Sequence, residues 1–425
     1  MEDVEDPNEG VVSLAAGMAL VPPGEPTLIA DVDATIGSPS PTNIGELDRV
    51  LGGGLVPGSV TLLGGEPGIG KSTLLLQLLA AASGTTLYVT AEESAQQVRL
   101  RASRLNALSP QLWLLPEMSL PNIISAIDSV KPQLVVIDSI QTVADPDLGS
   151  TPGSVVQVRG CAHRLVQEAK RRDLPVVLVG HVTKEGGLAG PRVLEHVVDT
   201  VLSFEGDRHH ALRLLRASKH RFGPTSELGL FEMTETGLAG VPDASKLFLA
   251  DRRTGVPGSV VVSTLEGQRP LLVEVQALTN PTNGGTPARR SVQGVDSARL
   301  SMLLAVLERR ARISLSGHDV YASVVGGVKL TEPGADLGLC LAIVSAITNT
   351  PLPADLIVAG EVGLAGEVRH ASHTSQRLSE AERLGFTHAL VPSRTSRELT
   401  KLTCQTVSTV NEALAHVGLV NSNND

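Results

Sequence analysis

Short apolar runs alternate with amphipathic segments from Asn43 to about residue 205. Each apolar run has the length of a buried strand, and the segments between them carry apolar residues at helical spacing. Buried strands that alternate with helices predict a parallel, doubly wound α/β sheet. The predicted strands are Val60–Leu63, Thr86–Val89, Leu134–Ile137, Val176–Val179 and Val201–Phe204, and the predicted helices lie near Ser72–Ala82, Ala95–Leu105, Pro121–Val130 and Ser154–Arg172.

The pattern changes at Gly255-Val-Pro-Gly258. Beyond it, the apolar runs Ser259–Leu265 and Pro270–Val275 flank Gly267 and predict a β-hairpin that opens a second domain. The turn-forming cluster Asn280–Pro287 predicts a mobile loop inside that domain. We therefore expect an acidic, disordered tail over residues 1–42, a first domain over 43–255 and a second over 256–425.

The negative charge of the chain is concentrated at one end. The formal net charge is −10, but residues 1–42 hold eight of the 45 acidic residues and no Lys or Arg. The remainder, with 37 acidic and 35 basic residues, is close to neutral. Bulk charge therefore does not exclude nucleic acid as a partner. With eight Phe, Trp and Tyr residues in all, single-strand binding would depend on phosphate contacts more than on stacked bases.

Three composition features narrow the class of protein. No apolar run approaches the ~20 residues of a membrane-spanning helix, so no membrane partner is expected. The N terminus is acidic where a secretory signal would be basic, which favours a cytoplasmic location. Cys161, Cys340 and Cys404 form no C-x-x-C pair, so neither a disulfide framework nor a zinc site is predicted.

The segment Gly65–Ser72 is a complete G-x-x-x-x-G-K-S phosphate-binding loop between a predicted strand and a predicted helix. Its glycines let backbone N–H groups face phosphates, and the helix N terminus adds a favourable dipole. Lys71 would reach the phosphates and Ser72 would ligate Mg²⁺. The alternative, a glycine-rich turn that binds nothing, fits this context poorly. The predicted contacts of ATP and Mg²⁺ are Gly65, Glu66, Pro67, Gly68, Ile69, Gly70, Lys71, Ser72 and Thr73.

Carboxylates follow two other predicted strands. Asp138 ends the apolar run Leu134–Ile137, where it would hold Mg²⁺ through water or bind Ser72. Glu92 and Glu93 follow the strand at Thr86–Val89, and hydrolysis needs a base that orients the attacking water. We assign this role to Glu92, with Glu93 as the second choice. Alternatively, both glutamates belong to a solvated helix start, where acidic residues are favoured.

Several segments resemble a known family. Ile44–Gly54 and the motifs above are similar to the RecA-type ATPase core. Lys219-His-Arg-Phe-Gly223, here called the signature segment, closely resembles the K-N-R-F-G sequence of the RadA (or Sms) family of bacterial DNA repair proteins. The match extends from about Asn43 to near the C terminus. Further matching segments are Gly180–Gly186, Gly190–His196 and Asp199–Val201.

The resemblance implies roles for two residues of the signature segment. In the family, the corresponding Lys and Arg are thought to reach the nucleotide of a neighbouring subunit in a hexameric ring and to influence DNA binding. Lys219 and Arg221 are therefore candidate trans-acting catalytic residues. A guanidinium beside the γ-phosphate would stabilise charge in the transition state.

Two departures from the family pattern stand out. His220 replaces the usual Asn, which keeps hydrogen-bonding capacity and adds a titratable ring. The four-cysteine zinc module typical of the family is not present in this sequence. We therefore expect no structural zinc site, and the contribution of such a module to DNA or partner binding is in question.

Basic residues outside the phosphate loop are candidates for DNA contacts. Lys184 and Arg192 lie in the glycine-rich segment Thr183–Arg192, which would face the channel of a RecA-like ring; the alternative is an ordinary solvated loop. Arg309 and Arg310 are further candidates in the second domain, although surface arginines often have no such role. Lys170–Arg172 fits an ordinary helix C terminus better, where cations are common.

From about Val256 the chain resembles the α+β proteolytic domain of Lon proteases. Asp336, in Thr331-Glu-Pro-Gly-Ala-Asp336, stands where the family places its nucleophilic serine, and counting along the same register places Ser375 at the position of the catalytic lysine. A serine–lysine pair needs both groups. The resemblance thus implies a non-proteolytic scaffold that supports the hexamer and helps bind DNA.

These features together predict an ATP-dependent DNA motor. The resemblance implies a ring around single-stranded or branched DNA, branch migration during repair, and a recombinase of the RecA type as partner. A KaiC-like regulatory ATPase is an alternative, although residues 256–425 contain no second phosphate loop. An ATP-dependent Lon-like protease is a further alternative, which Asp336 and Ser375 argue against.

Overall fold

A β-sheet of nine strands underlies the first half of the molecule. The computed structural model describes residues 28, 30, 37–181, 193–206, 212–282, 287–395 and 400–420, and residues from Pro39 onward form one compact unit. The strands are β1 (Val60–Gly65), β2 (Thr86–Thr90), β3 (Leu112–Pro116), β4 (Leu134–Asp138), β5 (Val176–His181), β6 (Thr200–Glu205), β7 (Leu212–His220), β8 (Leu228–Thr234) and β9 (Gly237–Gly240).

The strand order of this sheet is β3-β2-β4-β5-β1-β6-β7-β8-β9. The first six strands are parallel, and β7 to β9 continue the sheet as antiparallel strands. The predicted α/β fold class with a mostly parallel sheet is confirmed. All five predicted strands are present with shifts of one or two residues, whereas β3 and β7 to β9 were not predicted.

Helices cover both faces of this sheet. Those on one face bury Leu47, Leu74 and Val98 against it, and those on the other bury Ile123 and Leu165. Side-chain caps define the starts of two of these helices: Ser94 and Gln97 form a reciprocal capping box, and Ser154 accepts from the N–H of Gln157. The helices are α1 (Gly45–Val50), α2 (Lys71–Ala81) and α3 (Ala95–Arg104) on the first face, and α4 (Leu120–Val130) and α5 (Val155–Arg172) on the second.

The second half of the molecule is built on a mixed sheet of seven strands and a separate strand pair. The sheet has the order β12-β13-β11-β10-β14-β17-β18. Its strands are β10 (Ser259–Glu266), β11 (Arg269–Pro281), β12 (Arg290–Gln293), β13 (His318–Val324), β14 (Leu356–Val358), β17 (His388–Pro392) and β18 (Thr403–Val407), and the pair is β15 (Glu361–Val362) with β16 (Val368–Arg369).

Within the residues that the structure describes, five α-helices accompany these strands. The most central is α8, which is buried from Asp336 to Ser345 and therefore apolar around most of its circumference. The helices are α6 (Ala244–Leu249), α7 (Ser297–Arg309), α8 (Asp336–Thr348), α9 (Thr374–Arg383) and α10 (Val410–His416).

The predicted hairpin is present as β10 and β11, which pair antiparallel from Ser259–Gln276 to Glu266–Arg269. The predicted loop over 280–287 begins later than expected, because β11 continues through Pro281. Cross-strand pairing of Asn280 and Pro281 with β13 explains the difference. Residues 283–286 lie outside the described residues.

One hydrophobic cluster contains residues of both sheets. Leu228 and Leu230 of β8 and Phe248 of α6 pack in the same cluster as Val260 and Val273 of the second sheet. The helix α6 thus lies against the second sheet, although it precedes the domain boundary proposed at 255/256. A buried ion pair crosses the same interface, since Arg269 Nη1 lies 2.7 Å from Oε2 of Glu46, a residue that is 4% exposed.

The packed chain begins slightly before the proposed end of the tail. Ser40 forms an antiparallel bridge with Leu55, and Thr42 is buried. Most of residues 1–36 lie outside the described residues. Among the residues that the structure describes, none of the helices combines the length and the apolar character needed to cross a bilayer.

Candidate nucleotide-hydrolysis site

The phosphate loop joins the C-terminal end of β1 to the first turn of α2. Gly70, just before the helix, has φ +116°, and a Cβ there would lie 2.8 Å from Met233 Cε. A Cβ at Gly65 would lie 2.6 Å from the carbonyl oxygen of Phe204 on β6. Both positions therefore require glycine for steric reasons. Folding of the loop alone thus accounts for two glycines of the motif, independently of phosphate binding.

Lys71 lies inside the loop. Its Nζ donates to the carbonyl oxygens of Gly65 at 2.8 Å and Glu66 at 3.0 Å, and the side chain is buried. Burial lowers the pKa of Lys71, while the nearby charges of Asp138 and Glu92 oppose this shift. Because these carbonyl partners are neutral, phosphate oxygens would be stronger, charge-assisted acceptors for the same ammonium. The residues present therefore fit a bound nucleotide phosphate.

Ser72 and Asp138 meet beside Lys71. The Ser72 hydroxyl donates to Asp138 Oδ2 at 2.7 Å, and the hydroxyl of Tyr88 donates to the same oxygen at 2.6 Å. Burial and the neighbouring Asp138 raise the pKa of Tyr88 above its usual range, so the phenol remains a donor. A hydroxyl and a carboxylate at this point match the oxygen ligands that Mg²⁺ prefers. Sequence reasoning found Ser72 and Asp138 but missed Tyr88.

Glu92 and Glu93 have different partners. Glu93 Oε1 lies 2.6 Å from Arg101 Nη2 on α3, so its charge is compensated by an ion pair. Glu92 is exposed, and its Oε1 accepts a hydrogen bond from Ser139 at 2.5 Å. Because Ser139 follows Asp138 in the chain, Glu92 is held next to the proposed metal-binding residues. This geometry favours Glu92 over Glu93 as the water-orienting base.

The signature segment lies at the opposite end of the strands of the same sheet, level with the start of β1. Lys219 and His220 pair with Val201 and Thr200, and Thr200 is in register with Thr61 near the start of β1. The phosphate loop begins at the other end of β1, four residues beyond Thr61. At about 3.3 Å per residue, this places the two regions roughly 13 Å apart along the strand. The structure therefore does not bring Lys219 and Arg221 to the phosphate loop of their own chain.

Local contacts fix the side chains of Lys219 and Arg221 at this end of the strands. Lys219 Nζ donates to the carbonyl oxygens of Glu195 and Val198, each at 2.7 Å. Arg221 Nη1 lies 3.2 Å from Asp199 Oδ1, while Asp199 Oδ2 accepts from the N–H of Val60. The Arg221 side chain is half exposed.

Comparisons with known proteins find matches in both halves of the molecule. Residues 33–187 match the family model described as an AAA domain, and residues 313–417 match the Lon protease (S16) C-terminal proteolytic domain. The DNA repair protein RadA of Bacillus subtilis (strain 168) is 50% identical over 373 residues, which cover 87% of this chain and 81% of that protein. This chain belongs to the RadA family of DNA repair proteins.

Two relatives from other bacteria show a similar degree of identity. RadA of Mycobacterium tuberculosis (strain ATCC 25618 / H37Rv) is 49% identical, with 86% of this chain and 77% of the relative covered. RadA of Streptococcus pneumoniae (strain ATCC BAA-255 / R6) is 46% identical, with coverages of 92% and 94%. The resemblance expected from the signature segment is confirmed, and the AAA-type domain identifies the first sheet as that of an ATPase.

In this RadA-family chain, the Lon-like region contains a carboxylate bound by an arginine. Asp336 begins α8 and accepts from Arg299 Nε at 2.9 Å, from Arg299 Nη2 and from the N–H of Val362 at 3.2 Å. Burial raises the pKa of Asp336 against the opposing effect of Arg299. Both residues line a cavity of about 300 Å³. Ser375 is exposed on the first turn of α9.

The candidate DNA-binding residues are distributed over several surfaces. Arg309 and Arg310 are exposed at the end of α7, and Arg310 Nε donates to the carbonyl oxygen of Leu364 at 3.4 Å. Lys184 and Arg192 lie outside the described residues. Among the described residues, no cluster of three or more His, Cys, Asp and Glu side chains is placed to hold a metal ion.

Proposed function

We propose that this chain is an ATP-driven DNA motor of the RadA type, which binds single-stranded and branched DNA and promotes branch migration during recombinational repair. The observation that carries the proposal is the division of catalytic groups between the two ends of the strands of one sheet. Lys71, Ser72, Asp138 and Glu92 lie at or beyond the C-terminal ends of β1, β2 and β4, whereas Lys219 and Arg221 lie level with the N-terminal end of β1. A subunit arranged in this way suits a ring in which each site is completed by its neighbour.

The proposed roles follow from the chemistry of each side chain. Lys71 and the loop N–H groups bind the β- and γ-phosphates. Ser72 and Asp138 would hold Mg²⁺, which would supply positive charge to neutralise the charge that develops on the phosphates. Glu92 orients the attacking water and accepts its proton at a carboxylate oxygen. Arg221 and Lys219 of an adjacent copy supply positive charge at the γ-phosphate.

In a head-to-tail contact, the surface that carries Lys219 and Arg221 in one subunit lies against the phosphate loop of the next subunit. A heterologous interface that closes produces a ring, and six copies are the number that the family resemblance implies. In such a ring, Lys184, Arg192, Arg309 and Arg310 are the proposed contacts with DNA phosphates. A recombinase of the RecA type is the proposed protein partner.

ATP hydrolysis with and without single-stranded DNA, measured over a salt series, tests the proposal. Binding through phosphates releases counterions, so stimulation by DNA should fall steeply as salt rises. Lys71→Ala protein provides the background rate. Hydrolysis that depends on Lys71 but does not respond to DNA at any salt concentration would contradict the motor and leave a regulatory ATPase.

A further inference from the structure

Tyr88 is buried behind the proposed metal-binding carboxylate. The residue is 1% exposed and packs in the core between the first sheet and helices α1 to α3. Its hydroxyl lies 2.6 Å from Asp138 Oδ2, the oxygen that also accepts from Ser72. One carboxylate oxygen thus receives two hydroxyl donors, and only Ser72 belongs to the phosphate loop.

Strand pairing explains why the tyrosine hydroxyl reaches this point. The strands β2 and β4 are parallel neighbours, with Tyr88 beside Val136 and Thr90 beside Asp138. Tyr88 lies two residues before Thr90, the last residue of β2. Its long side chain reaches the carboxylate of Asp138 at the end of the neighbouring strand β4. Both strands are fully buried, so the position of the hydroxyl is set by the core of the sheet.

A hydrogen bond of this type restricts the carboxylate. The terminal torsion of an aspartate is broad, whereas a short O–H···O⁻ bond from a fixed donor selects one orientation. Residues that orient metal ligands from behind typically change metal affinity or activity by 10- to 100-fold when they are removed. A buried phenol that merely needed a partner would have no such effect on metal binding.

We propose that Tyr88 is a positioning residue that orients Asp138 and thereby sets the Mg²⁺ affinity of the nucleotide site. The inference rests on the proposed ATP·Mg²⁺ site. It adds to that site a residue that belongs neither to the phosphate loop nor to the two carboxylates Asp138 and Glu92. It also predicts that removal of the Tyr88 hydroxyl lowers the affinity for Mg²⁺ and leaves the affinity for the nucleotide unchanged, because this hydroxyl donates to Asp138, whereas nucleotide binding depends on Lys71 and the loop N–H groups.

The test measures binding of a fluorescent N-methylanthraniloyl ADP by anisotropy, first in EDTA and then over a Mg²⁺ titration. Tyr88→Phe keeps the ring and removes only the hydroxyl. We expect unchanged binding in EDTA and a half-saturating Mg²⁺ concentration raised about 10-fold. A Mg²⁺ curve identical to that of the unaltered protein, or an equal loss of binding in EDTA, overturns the inference.

Two matched variants locate the effect. Tyr321→Phe makes the same chemical change at the only other tyrosine of the chain, on β13, and should leave the Mg²⁺ curve unchanged. In an Asp138→Asn background, Tyr88→Phe should cause no further shift, because the two residues act as one unit. An additive shift in that background contradicts an action through Asp138.

A second measurement covers the case in which Tyr88→Phe does not fold. In Tyr321→Phe protein, Tyr88 is the sole tyrosine, so 3-fluorotyrosine labelling gives one fluorine signal from the site. Adding Mg²⁺ to the ADP complex should shift this signal, and an unmoved signal contradicts the inference. Failure of the unaltered protein to bind the fluorescent ADP at all would instead overturn the proposed nucleotide site.

Discussion

Asp138 and Asp336 are both buried carboxylates, one in each half of the molecule, but the side chains that donate hydrogen bonds to them differ in charge. Asp138 accepts hydrogen bonds from two neutral hydroxyls. Asp336 is bound by the guanidinium of Arg299 and by a backbone N–H. Neutral donors leave a negative charge available to a cation, whereas a two-pronged arginine compensates it. This difference supports the metal-assisted chemistry proposed for the first region and leads us to expect a structural role for the Arg299–Asp336 pair in the second.

Replacing the proposed base should give the largest effect in the first region. Glu92→Gln should lower kcat by about 10²- to 10⁴-fold, since proton acceptance at this position is lost. Binding of ADP should be retained because Lys71 is unchanged. Steady-state ATP hydrolysis and ADP binding measure the two effects.

Glu93→Gln is the matched control for that prediction. Its carboxylate is paired with Arg101, so its loss should change stability more than kcat. A kcat for Glu93→Gln that falls as far as that of Glu92→Gln would remove the distinction between the two residues.

Loss of the phosphate-loop lysine should be nearly as severe. Lys71→Ala removes the charged donor from the transferring phosphoryl group and should reduce hydrolysis by about 10²- to 10³-fold. Nucleotide binding should weaken at the same time, in contrast to Glu92→Gln. Normal hydrolysis in this variant would refute the site assignment.

Substitutions at the Arg299–Asp336 pair should change the free energy of unfolding rather than the rate of ATP hydrolysis. Arg299→Met leaves Asp336 buried with an uncompensated charge and should cost about 3 kcal/mol of unfolding free energy. Arg299→Met combined with Asp336→Leu should recover most of that loss. Urea denaturation measures both variants, and ADP binding should stay unchanged. A large fall in ADP binding with intact folding would contradict the separation of the two regions.

A smaller effect is expected where α6 meets α9. Asp243 lies 2.8 Å from Arg383, which lowers the pKa of the carboxyl from 3.8 to about 2. Both groups are partly exposed, so Asp243→Asn should cost less than about 1 kcal/mol at pH 7.

The pH dependence of that difference follows from the direction of the pKa shift. A lowered pKa in the folded state stabilises the fold above the ordinary pKa, and this contribution disappears as pH falls towards 2. The difference in Tm between the unaltered protein and Asp243→Asn should therefore narrow between pH 5 and 3. A difference that widens on acidification would contradict the assigned ion pair.

Sequence patterns predicted the elements that are determined by a short stretch of neighbouring residues. The phosphate loop, the parallel strands around it and the β10–β11 hairpin depend on short apolar runs and glycines. The strand β3 was missed because it lies at the sheet edge, with Trp113 55% exposed and no regular alternation. The antiparallel strands β7 to β9 were missed as well, although β7 alternates between buried and partly exposed residues and both β7 and β8 lie inside the sheet.

Contacts between distant segments could not be predicted from such patterns. The Tyr88–Asp138 hydrogen bond joins residues 50 positions apart, and the Arg299–Asp336 pair joins residues 37 apart. Both depend on the lateral order of strands or helices, which a single sequence does not specify. The packing of α6 on the second sheet likewise depends on a core shared between the two halves.

Mixed rings test most directly the claim that each hydrolysis site is completed by a neighbour. Arg221→Ala and Glu92→Gln subunits, inactive alone, are co-expressed so that they assemble together. In a head-to-tail ring, about a quarter of the interfaces would then combine an intact Glu92 with an intact Arg221. The account predicts ATP hydrolysis recovering towards about that fraction of the unaltered rate. A mixture no more active than the separate variants would contradict it.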